Sequence, residues 1–230
     1  MSKKHLKKVT SNFINMTMIK TDKRQICVNC GYPQSNCLCA WIDPITAPLN
    51  VIILQHPTEA KHAKNTVKLL TLGVKKITVL QGEKPEDWAK LAHNVTNQPQ
   101  RYGLIYPHEK STAVESIASS QQKARYFPVN HNLIFIDSTW RKALKIWHLN
   151  PWLQQCNSWH FANPPENQYH IRRTTQKSSL STLESVAYVL EQTHNINCTR
   201  LHILFSKMQE KCFLKKINVK YGVEPYKNNP

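Results

Sequence analysis

Short apolar runs separated by polar stretches recur along much of the chain. Runs of this length that are rich in Val, Ile and Leu are typical of strands buried on both faces of a sheet. We therefore predict four buried strands. They are Asn50–Gln55, Lys76–Leu80, Gly103–Tyr106 and Asn132–Asp137.

The stretches between these runs carry apolar residues at helical spacing. Over Thr58–Leu72, Ala63, Val67 and Leu70 fall on one face, and Gly73 follows at the position of a helix C-cap. This pattern predicts one helix. The other predicted helices are Pro85–His93, Ser111–Ser119, Thr139–His148, Ser181–Gln192 and Arg200–Lys216. For residues 151–170 we predict only short strands and loops.

Strands that alternate with helices in this way predict an α/β fold. The expected architecture is a mostly parallel sheet with helices on both faces. Changes in composition divide the chain into three segments. We predict a flexible basic arm over 1–24, a cysteine module over 25–45 and a main domain over 46–230.

The charge of the chain points to a polyanionic partner. Its 31 Lys and Arg residues outnumber 14 Asp and Glu residues, which gives a net charge of +17. Such a surplus favours nucleic acid or an anionic membrane surface. No segment combines a strong apolar face with a basic one, so we favour nucleic acid.

Several other classes are disfavoured by the sequence. No run approaches the roughly 18 apolar residues of a transmembrane helix, and the first residues lack the apolar core of a signal peptide. We therefore expect a cytoplasmic protein with no membrane partner. The chain has only five glycines and neither a GxGxxG nor a GxxxxGK[ST] motif. A nucleotide-like cofactor would have to be bound in another way.

Four of the seven cysteines cluster as CxxC followed by CxC, at Cys27, Cys30, Cys37 and Cys39. Four thiolates at this spacing favour a closed, tetrahedral structural zinc site. Disulfides are the first alternative, although a reducing compartment disfavours them. An iron–sulfur cluster is the second. The remaining cysteines are isolated, and we interpret them as small buried apolar residues: Cys156, Cys198 and Cys212.

In a parallel sheet, ligands gather at the carboxyl ends of the strands. Three predicted strands end in polar or aromatic residues there: Gln55-His56-Pro57, Tyr106-Pro107-His108 and Asp137-Ser138-Thr139-Trp140. Asp137 precedes a predicted helix, so a capping role is the alternative to a functional one.

The segment from Asp137 to Ala143 resembles the Asp-x-Thr-Trp signature of DTW-domain proteins, the tRNA-uridine aminocarboxypropyltransferases. Other segments are similar to the family in order and spacing, and the resemblance covers roughly residues 25–216. They are the CxxC and CxC pairs, Leu54-Gln55-His56-Pro57 with Glu59 and Asn65-Thr66, Leu104-Ile105-Tyr106-Pro107, and Leu180-Ser181-Thr182-Leu183-Glu184.

The resemblance implies a fold related to the SPOUT superfamily, in which a C-terminal trefoil knot grips S-adenosylmethionine. It implies transfer of the 3-amino-3-carboxypropyl group from that donor to N3 of a tRNA uridine, with methylthioadenosine as the by-product. It also leaves two oligomeric states open, a monomer or a dimer formed through the knot.

The resemblance further implies residue roles, with Asp137 as the candidate base for the N3 proton. We predict catalytic roles for Asp137, Thr139 and Trp140. The predicted cofactor contacts are Leu54, His56, Thr66, Tyr106, Pro107, Asp137, Trp140, Leu180, Ser181, Thr182 and Glu184. For Glu184, a first-turn helix acid is the alternative. By their position beside these motifs, the predicted RNA contacts are Arg141, Lys142, Arg172 and Arg173.

Two other functions remain open from the sequence. The first is a SPOUT-type RNA methyltransferase, which would use the same donor and release S-adenosylhomocysteine. The second is a non-catalytic RNA-binding protein built on a zinc module, in which Asp137 only caps a helix.

Overall fold

A computed structural model gives the fold and describes residues 24–171 and 179–214. The predicted arm over 1–24 lies outside these residues except for Arg24. Arg172 and Arg173, two of the predicted RNA contacts, also lie outside them.

Within the described residues, six strands form one sheet. They are β1 (Ile45–Gln55), β2 (Val74–Gln81), β3 (Tyr102–Ile105), β4 (Thr112–Ala113), β5 (Asn132–Asp137) and β6 (Asn157–His160). Their order in the sheet is β2-β1-β5-β3-β6-β4, and all four predicted strands lie in it. Every neighbouring pair is parallel, so the predicted mostly parallel sheet is confirmed.

Helices cover both faces of the sheet because its central strands are apolar on both sides. The α-helices are α1 (Pro57–Ala60), α2 (Val67–Gly73), α3 (Ala89–Asn97), α4 (Ser120–Tyr126), α5 (Trp140–Leu149), α6 (Thr182–His194) and α7 (Thr199–Gln209). In β1, Val51 and Ile53 enter one core with residues of α2, α6 and α7, while Ile52 and Leu54 enter a second core with residues of α3 and α5. Among the residues described, no helix is both long and apolar enough to cross a bilayer.

Two helix predictions are wrong. Residues Ser111–Ser119 do not form an α-helix, because Thr112 and Ala113 pair with β6, only Val114–Ser116 make a single 3₁₀ turn, and α4 begins after Ser119. Ser119 and Gln122 form a capping box there, a signal that marks a helix start. The stretch Thr58–Leu72 is two helices rather than one. Asn65 interrupts it, since its Oδ1 accepts a hydrogen bond from the N–H of Val67 at 2.9 Å.

Gly73 is not a C-cap but the last residue of α2, and extended Val74 follows it directly. A Cβ at Gly73 would lie 2.7 Å from Leu201 Cδ1 and 3.3 Å from Leu204 Cδ2. The glycine therefore lets α2 and α7 approach closely.

Gly73→Ala is expected to lower the free energy of unfolding by about 1–3 kcal/mol, because the added methyl group overpacks this contact. Urea denaturation followed by circular dichroism measures the change. Combining it with Leu201→Ala should reduce the cost of the Gly73 substitution, since that variant removes the clashing methyl group. An unchanged midpoint for Gly73→Ala alone would contradict the tight contact.

Candidate functional site

Between β1 and β5 the sheet has a topological switch point, because the connections that follow these two neighbouring strands run to opposite sides of the sheet. From β1 the chain continues to β2 on one side, and from β5 it continues to β6, beyond β3 on the other side. Crevices at such switch points, at the carboxyl ends of parallel strands, are where α/β proteins bind ligands. Gln55 and Asp137 end these two strands and are partners in the β1–β5 register.

Asp137 is held by hydrogen bonds to both of its carboxylate oxygens. Gln55 Nε2 donates to Oδ2 at 2.8 Å, and Thr182 Oγ1 donates to Oδ1 at 2.6 Å. Gln55 Nε2 also donates to Asn65 Oδ1 at 3.2 Å. Because an ionised carboxylate accepts from both neighbours, these contacts fix the carboxylate at the strand end.

On one side of Asp137 is a cavity of about 340 Å³, which we call the Trp140 cavity. Its volume is within the range of small-molecule sites. Among the residues described, no lysine or arginine lines this cavity, whereas Glu59 and Asp137 both line it. Its apolar walls include Ile105, Tyr106, Phe135, Trp140, Phe161 and Leu180.

The segment after β6 forms part of that wall and is anchored by Glu115. Its carboxylate accepts hydrogen bonds from the N–H groups of Ala162 and Asn163, both at 3.1 Å, and from the Tyr188 hydroxyl at 2.8 Å. The cavity is therefore bounded by fixed backbone on the β6 side.

A second cavity, of about 350 Å³, also reaches Asp137, and we call it the Lys64 cavity. Glu59, Asp137 and Thr182 line both cavities. Asp137 therefore lies where the two spaces meet. Six further residues line the Lys64 cavity but not the Trp140 cavity: His62, Lys64, Asn65, Thr66, Thr139 and Tyr169.

Many of the site residues predicted from the sequence are brought together here. Seven of the predicted residues line one or both cavities besides Asp137 itself. Those at the Trp140 cavity are Tyr106, Pro107, Trp140, Leu180 and Thr182, and those at the Lys64 cavity are Thr66, Thr139 and Thr182.

Four other predicted cofactor contacts line neither cavity. Leu54 is fully buried in the core beneath α3 and α5. His56 begins α1, where its Nδ1 accepts from the N–H of Thr58 at 3.2 Å, and its Nε2 lies 3.3 Å from Glu83 Oε1. Ser181 and Glu184 form the capping box that starts α6.

Glu184 also fixes a neighbouring segment. Its Oε2 accepts from the N–H of Ser181 at 2.8 Å, and its Oε1 accepts from the N–H of Gln168 at 2.6 Å. The geometry is that of the alternative considered from the sequence, a helix first-turn acid. The predicted contact of Glu184 with the cofactor stays a prediction.

The two described RNA-contact candidates differ in their surroundings. Arg141 is exposed on the first turn of α5. Lys142 is half-buried, donates to the Thr58 hydroxyl and pairs with Glu59 Oε1 at 3.5 Å. Lys142 therefore partly neutralises one of the two carboxylates shared by the cavities.

Sequence reasoning missed Phe161 and Lys64 as site residues, and it named Gln55 at a strand end without giving it a role. Gln55 is a buried polar residue at the end of an apolar run, and that irregularity was a usable signal. Phe161 follows β6, a strand whose position no strong pattern marked. Nothing in the sequence relates Lys64 to Asp137, because their proximity depends on the order of the strands.

The four clustered cysteines converge as predicted. Their Sγ atoms all lie within 4.8 Å of one another, with Cys27–Cys39 at 3.5 Å, Cys27–Cys37 at 3.6 Å and Cys30–Cys37 at 3.8 Å. Tetrahedral zinc with Zn–S bonds of about 2.3 Å requires sulfur separations of about 3.8 Å. The donor set therefore fits a structural Cys₄ zinc site.

The environment of these thiols also suits a cation. Hydrogen bonds from the backbone of Cys30 and Asn29 lower the pKa of Cys27 to about 6. The adjacent thiols of Cys37 and Cys27 raise the pKa of Cys39 to about 12. Zinc binding would require all four thiols to be deprotonated, and the bound ion would then balance their charge.

Gly31 permits the tight turn that closes this cluster. It has φ +66°, a backbone conformation that residues with a side chain rarely adopt, and its N–H donates to the carbonyl of Cys27 at 2.8 Å.

The cysteine module packs directly against the main domain, since Lys68 of α2 lies over the Tyr32 ring at 4.1 Å.

Comparison with known proteins agrees with the sequence resemblance. A family model described as the DTW domain matches residues 24–213. A tRNA-uridine aminocarboxypropyltransferase 2 from Drosophila melanogaster is 28% identical over 175 residues, which cover 74% of this chain and 66% of that protein. The Mus musculus protein of the same name is 26% identical over 195 residues, or 83% of this chain and 63% of its own length.

A shorter match is stronger locally. A tRNA-uridine aminocarboxypropyltransferase A from Arabidopsis thaliana is 43% identical over 58 residues, or 24% of this chain and 22% of that protein. The chain spans just under two thirds of the length of the Drosophila and mouse relatives. No solved structure matches the chain at comparable significance.

Proposed function

The chain belongs to the DTW-domain family, and we propose that it modifies tRNA as a uridine aminocarboxypropyltransferase. The names of its relatives, tRNA-uridine aminocarboxypropyltransferases, support this activity. The observation that carries the proposal is the position of Asp137 where two cavities meet. A transferase that joins two substrates needs one polar group within reach of both.

We assign the group donor, S-adenosylmethionine, to the Trp140 cavity. The aromatic and aliphatic walls suit an adenosine, and the carboxylates of Glu59 and Asp137 suit a sulfonium cation. Bound there, the donor supplies an electrophilic carbon next to a neutral leaving group, methylthioadenosine. Trp140, which is 57% exposed, would cover the mouth of the cavity.

In the proposed reaction Asp137 accepts the proton of uridine N3, and the freed electron pair forms the N3–carbon bond. The carbon–sulfur bond breaks at the same time, and its electron pair neutralises the sulfonium. The protein's contribution is position, because the aminocarboxypropyl carbon rather than the methyl group must face N3. Leu54, His56, Ser181 and Glu184 would contribute indirectly, by fixing the strand and helix ends around the donor.

The remaining expectations are proposals of the same kind. We propose a SPOUT-like fold with a C-terminal trefoil knot in the domain over 46–230, a structural zinc in the module over 25–45, and tRNA phosphate contacts from the arm over 1–24, Arg141, Lys142, Arg172 and Arg173. Thiolate zinc ligands and a tRNA substrate support a cytoplasmic location. The oligomer would be a monomer or a knot-mediated dimer.

The test is transfer by the purified protein with tRNA and S-adenosylmethionine. We expect methylthioadenosine in the reaction and 3-(3-amino-3-carboxypropyl)uridine in the digested tRNA, both measured by mass spectrometry. S-adenosylhomocysteine and a methylated nucleoside would instead identify an RNA methyltransferase. Absence of donor binding by calorimetry, with tRNA binding retained, would identify a binding protein.

A further inference from the structure

We propose that the Lys64 cavity receives the acceptor uracil and selects it over cytosine, with Thr66 and Thr139 as the selecting residues. This inference rests on the proposed transferase function and adds to it the site and the chemistry of base recognition. It also moves Thr66 from the donor side, where the family resemblance put it, to the acceptor side.

The two cavities differ by one cationic side chain. Each is lined by the carboxylates of Glu59 and Asp137 and by one histidine, but Lys64 lines only the Lys64 cavity, and the described lining of the Trp140 cavity contains neither lysine nor arginine. A nucleotide in RNA is anionic, and the proposed donor carries a sulfonium cation. Of the two cavities, the one lined by Lys64 is therefore the better match for the anionic substrate.

The two threonines have hydroxyls available to a ligand. Each directly precedes a helix, a position at which a threonine hydroxyl ordinarily accepts from the helix backbone, yet neither makes that capping bond. In the part of the chain that the structure describes, neither hydroxyl has a hydrogen-bond partner. Thr66 is only 5% exposed, yet it lines the Lys64 cavity.

The hydrogen-bonding edge of uracil matches this set of groups. Its N3–H donor lies between two carbonyl acceptors, O2 and O4. The cavity offers the complement, a carboxylate acceptor from Asp137 and hydroxyl donors from Thr66 and Thr139. Cytosine has an acceptor at N3 and an amino donor at C4, so it would place an acceptor against the carboxylate and lose this match.

The first test uses Thr66→Val and Thr139→Val. Each removes one hydroxyl without changing the shape, and each is expected to lower kcat/KM for tRNA about tenfold. The affinity for S-adenosylmethionine, measured by calorimetry, should stay within about twofold of wild type. Thr66→Ser and Thr139→Ser should recover most of the activity. Thr71→Val is the matched control, because its hydroxyl bonds to the carbonyl of Lys68 on the exposed side of α2.

Loss of donor affinity in Thr66→Val and Thr139→Val would overturn the proposal, since it would place the hydroxyls at the donor. Wild-type kcat/KM in both would overturn it as well. Both outcomes can be measured only if the protein catalyses the transfer reaction. A second measurement must therefore detect uracil binding without any transfer.

That measurement is photo-crosslinking of 4-thiouridine 5′-monophosphate to the protein in the presence of S-adenosylmethionine, with mapping by mass spectrometry. We expect crosslinks within residues 59–66 or at Thr139, competed by uridine monophosphate and about tenfold less well by cytidine monophosphate. Crosslinks at Tyr106 or Phe161, or none that uridine monophosphate competes, would overturn the proposal. This result decides the uracil site even if the transfer reaction itself is disproved.

Discussion

Asp137→Asn is expected to lower the rate of aminocarboxypropyl transfer by about 10²–10⁴-fold, the usual contribution of a positioned general base. The asparagine keeps the size of the side chain but cannot accept the N3 proton. The substituted amide keeps one acceptor for Gln55 Nε2, and the Thr182 hydroxyl can turn to accept from its N–H, so the side chain should stay at the meeting point of the two cavities. Single-turnover rates of methylthioadenosine formation, with the donor saturating, measure the effect.

A control variant and a variant of the competing carboxylate make this result specific. Asp43→Asn introduces the same chemical change on the surface, where Asp43 pairs with Arg200 at 2.9 Å and both side chains are about 60% exposed. It should leave the rate unchanged, since such exposed pairs contribute little. Glu59→Gln tests the other carboxylate that lines both cavities.

The outcomes assign the base. A large loss in Asp137→Asn together with a smaller one in Glu59→Gln would support Asp137. A full rate in Asp137→Asn with a large loss in Glu59→Gln would transfer the role to Glu59. Calorimetry must show donor binding in each variant, so that a loss of rate is not a loss of substrate.

Gln55 illustrates why the site was only partly predictable from the sequence. The apolar pattern predicted the strands that end at Gln55 and Asp137, and both cavities lie at the end of the strand that finishes with Asp137. The pattern could not predict that β5 lies beside β1, because apolar runs contain no information about strand order. The bond from Gln55 to Asp137, and the Lys64 cavity beside it, depend on that order.

Local polar contacts account for the errors within elements. The Asn65 side chain divides a region whose apolar spacing resembles a single helix, and the Ser119–Gln122 capping box starts α4 later than the apolar pattern suggested. Side-chain bonds to the backbone compete with helix formation, and hydrophobic periodicity does not register them. The cysteine cluster was predictable for the opposite reason, since its ligands are close together in the chain.

Cys30→Ala is expected to release zinc and to remove on the order of 10 kcal/mol of stabilisation from the cysteine module. The loss should extend beyond the module, because Cys27, Cys30, Tyr32 and Leu38 belong to the same buried cluster as residues of α2 and α7. A typical domain has a net stability of only about 5–15 kcal/mol, so the melting temperature should fall by tens of degrees. Plasma mass spectrometry for zinc and calorimetric melting measure both effects.

Cys156→Ala is the matched control, because it also removes a buried thiol but one outside the cluster. Cys156 is not part of the four-cysteine cluster, so it should not bind the cluster's metal. Burial raises the pKa of Cys156 to about 12, so this thiol should not react readily near neutral pH. We expect one zinc per chain in wild type and Cys156→Ala and none in Cys30→Ala. Iron and sulfide in place of zinc would indicate an iron–sulfur cluster. A metal-free wild-type protein as stable as the zinc-bound one would contradict a structural metal.

Loss of zinc should also affect function. The module packs on α2 through Lys68 and Tyr32, and Thr66 lies one residue before that helix. We therefore expect zinc loss to weaken tRNA modification more than donor binding.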